Sequence, residues 1–493
     1  MTFLFLTVIL KMKINLNQRR KNMSKKYVFI DWNDTDPGYG IDKPGYQPQD
    51  ASPYGVEIVA HMPLVDPIPM IVPDKPWEAT RVGCYSTVIK VGDEYRMWYD
   101  GIGPGIKLCY ATSKDGLKWE KPSLGIVEFE GSYDNNILFN NDVKNIVDEG
   151  WCVIYQENAP ESERFKMVFT RVFYAEDGSH SVWIMGAVSE DGLHWSEIGK
   201  LFRGGDTQTS FAYDEKRKKY VIITKAQDPE NIVRRTIIMV ESDDFKSFSE
   251  PVYLLHGSPN DPPDTDYYTS AYHIWKDAEN AHLLFPARFH RTADFTEVEL
   301  LVSRDLSTWN KPSNGKVVIG PEQTFRKSNY ADIGVIEDGN GNWIHVFSSY
   351  KRGHHDGGNG KEEGSGLYRL VFREDGYTSL HAKSHGCITT LPRPRAKGLK
   401  INADIGTAGY IKIAATDPVS NIAHDGFDFD DCTLEAIDCN SYEVRWKKPL
   451  SEIPEDIGYR FKIKMFRADL YSYTLDDYDD AIDENFRVPY VVG

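Results

Sequence analysis

Little in this chain could hold a metal ion or a disulfide framework. Its 493 residues include six cysteines, Cys84, Cys109, Cys152, Cys387, Cys432 and Cys439. None stands in a C-x-x-C pair or at a Cys/His ligand spacing. Cysteines spread this way are expected to be buried free thiols of a reducing compartment, with Cys432 and Cys439 the one pair close enough in sequence to bridge. Positive charge is also short: 57 Lys and Arg stand against 74 Asp and Glu, a formal net charge of −17. That argues against nucleic acid and against an anionic membrane surface, since both need clustered cations. Long apolar runs are scarce. Met1–Leu10 is about half the length of a bilayer span, and the basic residues Lys11 to Lys26 follow it, whereas in a secretory signal they precede the apolar run. Residues 1–26 are expected to be a disordered leader or the product of an upstream start site. The expected location is cytoplasmic, with a secreted or cell-surface protein as the alternative. Helical periodicity of any length is missing, so an all-β protein is expected.

Aromatic residues are abundant, with 28 Tyr, 23 Phe and 11 Trp, as suits twisted sheets that pack face to face. A repeat organises them. Apolar and aromatic strands lead to Ser113-Lys-Asp115-Gly-Leu-Lys-Trp119 and to Ser189-Glu-Asp191-Gly-Leu-His-Trp195. Looser copies are Ser242-Asp-Asp244-Phe-Lys-Ser-Phe248, Ser303-Arg-Asp305-Leu-Ser-Thr-Trp309 and Arg373-Glu-Asp375-Gly-Tyr377. Their aspartates are 76, 53, 61 and 70 residues apart (191−115, 244−191, 305−244, 375−305). One such unit cannot bury both faces of its sheet, so the units must pack on each other. Five four-stranded units set radially predict a five-bladed β-propeller over residues 27–383. The Asp-Gly pairs supply the turns into each outer strand, and the Trp after each packs on a neighbouring blade. After Leu380 and the Pro392-Arg-Pro394 linker the repeat stops, and short alternating strands predict a β-sandwich over residues 384–493.

Tyr95-Arg-Met-Trp-Tyr99, Tyr110-Ala-Thr-Ser-Lys-Asp-Gly-Leu-Lys-Trp119, Glu163-Arg-Phe-Lys166, Asp206-Thr-Gln208, Glu241-Ser-Asp-Asp-Phe245 and Asp261-Pro-Pro-Asp-Thr-Asp266 resemble the five-bladed propeller glycoside hydrolases. That clan includes families 32, 43, 62, 68, 117 and 130, and the nearest flavour is that of uncharacterised bacterial proteins similar to family 32. The likeness spans roughly residues 27 to 475. It implies a propeller followed by a sandwich and an exo-acting glycosidase on oligosaccharides; it does not indicate which sugar. Asp31-Trp-Asn-Asp34-Thr-Asp36-Pro-Gly38 partly echoes the W-M-N-D-P-N-G nucleophile motif of family 32. The R-D-P and E-C motifs of that family are missing, so a fructosidase activity does not carry over.

Cleaving a glycosidic bond requires two carboxyl groups from different blades, one to protonate the leaving oxygen and one as base or nucleophile. Carboxylates near the starts of the inner strands are the candidates. Asp206 and Asp266 are the preferred pair, with Asp264 beside the second and Asp100, at the end of Tyr-Asp-Gly, as a competitor. Asp148 and Glu149 stand at the corresponding place in blade two. Gln208, Arg81, Glu78, Arg288 and His290 are candidate substrate-binding residues. Competing readings for the aspartates are turn caps, after Gly204-Gly205 for Asp206 and after Pro262-Pro263 for Asp264 and Asp266. His354-His355-Asp356, in the glycine-rich stretch between Gly353 and Gly366, reads as an exposed loop, with a metal site or a lid over the funnel as the alternatives. No cofactor or metal is expected. The expected partner is an oligosaccharide or glycoside, and the oligomeric state stays open. A glycoside phosphorylase, using Arg81, Arg288, His290 and Arg291 to hold phosphate, and a non-catalytic carbohydrate-binding propeller are the alternatives.

Overall fold

A computed structural model describes residues 24–36, 53–83, 85–140, 144–228, 234–257, 261–356, 362–393, 396–418, 420–435, 437–453 and 458–477. Nearly all regular structure in them is strand, and the helical pieces are single turns such as Pro321–Thr324. No helix among the described residues is long and apolar enough to cross a membrane. The chain divides into two compact units. The larger comprises Met62–Trp275 and Asn280–Glu374, and the smaller takes the residues before, between and after them.

The larger unit is a succession of antiparallel meanders. In the first, Arg81–Val82 and Thr87–Val91 pair with Glu94–Gly103, followed by Gly105–Ser113 and Ile137–Asn140. The second runs Ile146–Tyr155, Phe165–Tyr174, His180–Ser189, Ser196–Arg203, and the third Thr209–Asp214, Lys219–Gln227, Arg235–Ser242, Val252–Leu255. The fourth is split into a sheet of Thr265–Tyr267, Ala287–His290, Phe295–Glu299 and Val317–Ile319 and one of Tyr272–Ile274, His282–Leu284 and Leu301–Ser303. In the fifth, Ser328–Ala331 and Ile336–Glu337 pair with Asn342–Tyr350, then comes Gly366–Arg373, and the outermost strand is Leu64–Ile71 from before the first sheet.

The recurring Ser-x-Asp closes a turn by local hydrogen bonds. The Ser113 hydroxyl donates to Asp115 Oδ1 at 3.1 Å and accepts the Gly116 amide, while Asp115 Oδ1 accepts the amides of Leu117 and Lys118. Asp191, Asp244 and Asp305 repeat the arrangement. The residue after each Asp is left-handed: Gly116 and Gly192 at φ 71° and 79°, but Phe245 and Leu306 at 61° and 64° in the looser copies. The side chains of Trp119, Trp195 and Trp309 donate back to that residue's carbonyl, and Trp119 packs on a core shared by the first and fifth sheets. The fifth copy departs from the pattern. Asp375 belongs to the smaller unit, where it accepts from Lys26 and Ser472.

Successive sheets are joined side to side, mostly through their inner strands. Thr87 bonds Trp151 and Val153, Phe211 bonds Cys152, and Ser210 bonds Ser270 and Tyr272. Thr296 bonds Asn329, and Ile333 returns to Ser86 and Val88 of the first sheet. The chain of contacts is therefore cyclic. Gln208, fully buried, spans it: its Nε2 donates to the Ala331 carbonyl and its Oε1 accepts the Ala271 amide.

The smaller unit is an eight-stranded sheet around two long strands, Gly398–Thr416 and Arg460–Asp476, which pair along their length. Leu399, Ile401, Ile413, Ile463, Tyr473 and Leu475 fill its core. Two expected boundaries move. Ser24–Val28 is a strand paired with Arg460–Asp476, so residues 24–26 are no leader. The division expected between residues 383 and 384 falls between Thr378–Ala382 and Gly386–Thr389, both of which pair with Arg460–Asp476. The repeat fades only at Leu380, but pairing with strands some eighty residues later decides membership. The five described cysteines are free thiols; Cys84, residues 1–23 and the acidic end beyond residue 477 lie outside the described residues.

Candidate active site

In the first sheet the inner strand breaks. Arg81–Val82 pairs opposite Gly101–Ile102 and Thr87–Val91 opposite Glu94–Trp98, so the intervening residues leave the ladder beside Tyr99 and Asp100. Tyr85 turns left-handed there, at φ 78°. The detour is held from the fifth sheet, because the Tyr85 and Ser86 amides donate to Asp332 Oδ1 at 2.9 and 3.1 Å. Asp100 Oδ1 and Asp332 Oδ2 are buried and have no hydrogen-bond partner among the described residues. A buried carboxyl so placed favours its neutral form. Burial, then the nearby Glu149 and Asp332, push Asp100 well above the usual carboxylate range against the pull of Arg81. Burial likewise pushes Asp332 up to about 7.

A bulge in the second sheet aims Glu149. The pairing register shifts between Val168 and Thr170, and Gly150, at φ 68°, takes the extra position. A side chain at Gly150 would stand 2.6 Å from Thr207 Cγ2, so the bulge needs glycine. Burial and then Asp206 raise Glu149 to about 7, with Lys225 and Arg81 opposing. Asp206 leads into the third sheet. Its Oδ1 accepts the Thr207 amide, its Oδ2 lies 2.9 Å from Lys225 Nζ, and its carbonyl accepts the Thr209 and Thr224 hydroxyls. The Asp206 side chain is 42% exposed and that of Lys225 only 3%, so the carboxylate is reachable while its counter-ion is not.

Aromatic rings flank these groups. Lys225 Nζ sits 3.6 Å and the Arg235 guanidinium 5.2 Å from the centre of the Tyr268 ring. Tyr268 and Tyr85 both border Tyr330, whose hydroxyl bonds His354 Nδ1 at 2.7 Å. Arg81 lies over Tyr350. His354 is thus packed among rings, with its loop described as far as Asp356.

Of the residues singled out from sequence, Asp206, Asp100 and Arg81 belong to this gathering and Gln208 bridges the strands beneath it. The others are held by protein partners, Asp266 by the same Arg235 that approaches the Tyr268 ring. Asp266 is buried with its oxygens on the Arg235 amide, the Arg235 guanidinium at 3.1 Å and Arg291 at 3.6 Å. Asp264 caps a turn by accepting the Thr292 amide. Glu78 is buried between the Tyr99 hydroxyl and Lys121, both at 2.7 Å. Arg288 pairs with Asp261, Glu297 and Glu299, and His290 with Glu297. Asp148 is gripped by Arg171 through both oxygens. Asp34 and Asp36, of the motif-like segment, pair with Arg393 and Arg460 in the smaller unit. Sequence reasoning passed over Asp332, Lys225 and Tyr268 and left Glu149 unranked beside Asp148. Gly150 was the one local signal that could have separated Glu149 from its neighbour.

No family model matches the chain. Two uncharacterized proteins of Mycobacterium tuberculosis are 32% and 31% identical over 124 residues, 24% of this chain. The chain spans about a third (34%) of the length of these curated relatives. Glycoside hydrolases recur among the similar solved structures. A thermostable family-43 glycoside hydrolase matches at TM-score 0.43 and 15% identity, covering 64% of this chain and 95% of its own. A xylan β-1,4-xylosidase from Bacillus halodurans C-125 matches at 0.42 and 8% (80% and 99%), and an α-L-arabinofuranosidase from Lactobacillus brevis at 0.43 and 13% (63% and 94%). Superpositions this loose transfer no side-chain role.

Proposed function

We propose that this chain is a glycoside hydrolase, a five-bladed propeller with an accessory β-sandwich built from both ends of the chain, which cleaves terminal sugars from oligosaccharides. One observation carries the reading: Glu149 and Asp206, on adjacent sheets, sit in opposite electrostatic settings. Asp206 is ion-paired and reachable, whereas Glu149 holds its proton to about 7. Two carboxyls whose environments differ in this way are what acid–base cleavage of a glycoside requires. Glu149 would protonate the leaving oxygen, and Asp206 would act as base or nucleophile. The cyclic contacts between successive sheets support the propeller reading, and the buried bridge of Gln208 supports a blind-ended site suited to a chain terminus.

The test is a panel of aryl glycosides and oligosaccharides with wild type, Glu149→Gln and Asp206→Asn. Cleavage abolished by either substitution supports the assignment. Cleavage that survives both overturns these roles, and binding without cleavage by wild type favours a carbohydrate-binding protein.

A further inference from the structure

The side of the site around Tyr268 is unusually cationic. Lys225 and Arg235 both approach its ring, Arg291 joins Arg235 on Asp266, and Arg81 lies over Tyr350. Only two of the carboxylates described above are paired to them, Asp206 to Lys225 and Asp266 to the two arginines. An ammonium has three N–H donors and a guanidinium five. Among the described residues one Lys225 donor goes to Asp206 Oδ2 and one Arg235 side-chain donor to Asp266 Oδ2. Among the described residues the remaining donors meet only the face of the Tyr268 ring. The Lys225 side chain is 3% exposed and that of Arg235 25%, so these spare donors face the open part of the site, where an anion can take them in place of water. His354 marks where these charges converge: burial first, then His355, Lys225, Arg235 and Arg81, push its imidazole down to about 3.

Resting on the hydrolase reading of this site, we propose that Lys225 and Arg235 bind an oxyanion there, the carboxylate of an acidic sugar or a free phosphate. Arg235 presents a planar fork that suits a carboxylate or phosphate, and Lys225 adds a point charge. A neutral sugar would leave both sets of donors unanswered.

Calorimetric titration with D-glucuronate, D-galacturonate, D-glucose, D-galactose and sodium phosphate tests this on wild type, Arg235→Gln and Arg235→Lys, with thermal melts to verify folding. We expect a uronate to bind at least about tenfold more tightly than its neutral counterpart. Arg235→Gln should abolish that preference and Arg235→Lys should keep part of it. Phosphate binding that depends on Arg235, without preference among the sugars, supports the same site with a free anion as occupant. Equal affinity for acidic and neutral sugars with no phosphate binding overturns the proposal, as does an anion preference that Arg235→Gln leaves intact. The hydrolase reading is scored separately: cleavage of neutral glycosides without anion preference keeps it and sinks the oxyanion, whereas uronate binding without any cleavage does the reverse.

Discussion

Replacing Asp332 by Asn should stabilise the protein in alkali and hardly affect it in acid. Asp332 Oδ1 accepts the Tyr85 and Ser86 amides, and the carbonyl of Asn can do the same. Oδ2 has no partner among the described residues, so the Asn NH2 and the protonated acid are both neutral donors without an acceptor there. The ionised form is different, since burial lifts this carboxyl from 3.8 to about 7. Between those values the folded protein holds a proton that the unfolded chain has released, so the group's contribution to stability falls as pH rises and is fully lost above about 7. At about 1.4 kcal/mol per pH unit the whole window is worth about 4 kcal/mol. Roughly 3 kcal/mol of it lies between pH 5 and 8. The stability of Asp332→Asn relative to wild type should therefore rise by that amount over this range. Urea denaturation of both proteins at pH 5, 6, 7 and 8 measures it directly. A gap that stays constant or narrows with pH would refute the burial of a neutral carboxyl at this position.

Glu149→Gln should lower turnover by about 100- to 10,000-fold, as loss of a general acid does, and the alkaline limb of the wild-type pH–rate profile should fall near 7, where Glu149 releases its proton. A substrate with a very good leaving group should recover part of the loss. His273, held down to about 4 by burial, is neutral when folded, so its contribution is present above about 6.5 and lost as pH falls toward 4. His273→Gln should gain on wild type by about 1.4 kcal/mol per pH unit through that range in urea titrations. Gly116→Ala should cost about 2–4 kcal/mol, because the backbone there is left-handed and a Cβ would meet Ile336 Cγ2 at 2.2 Å. Gly125→Ala, with a similar φ and nothing within 4 Å, should cost only about 1–2 kcal/mol; equal losses in thermal melts would contradict this.

The repeat was legible because its chemistry is local: a serine, an aspartate and three amides within six residues write the same turn in four sheets. The splitting of the inner strands was not, since each half is too short to show alternation. Nor was the closing strand Leu64–Ile71, whose partner Gly366–Arg373 lies at the far end of the larger unit. The site was legible only in part for a related reason. Asp206 and Asp100 could be picked as carboxylates near strand starts, but Asp332 owes its setting to amides 246 and 247 residues away. Asp266, attractive from its place in the chain, is quenched by arginines that no spacing rule connects to it.

The arrangement of the fifth sheet bears on biosynthesis. Leu64–Ile71 leaves the ribosome 295 residues (366−71) before the strand that will hold it is made. Until then it is an apolar ribbon that could stick to a neighbouring nascent chain, with Leu64 and Ile68 still 70% and 65% exposed in the finished fold. Pro67 and Pro69, which lack amide hydrogens, deny such a stray partner two of the bonds it would need. Those two prolines thus guard the segment during its long wait for synthesis to finish.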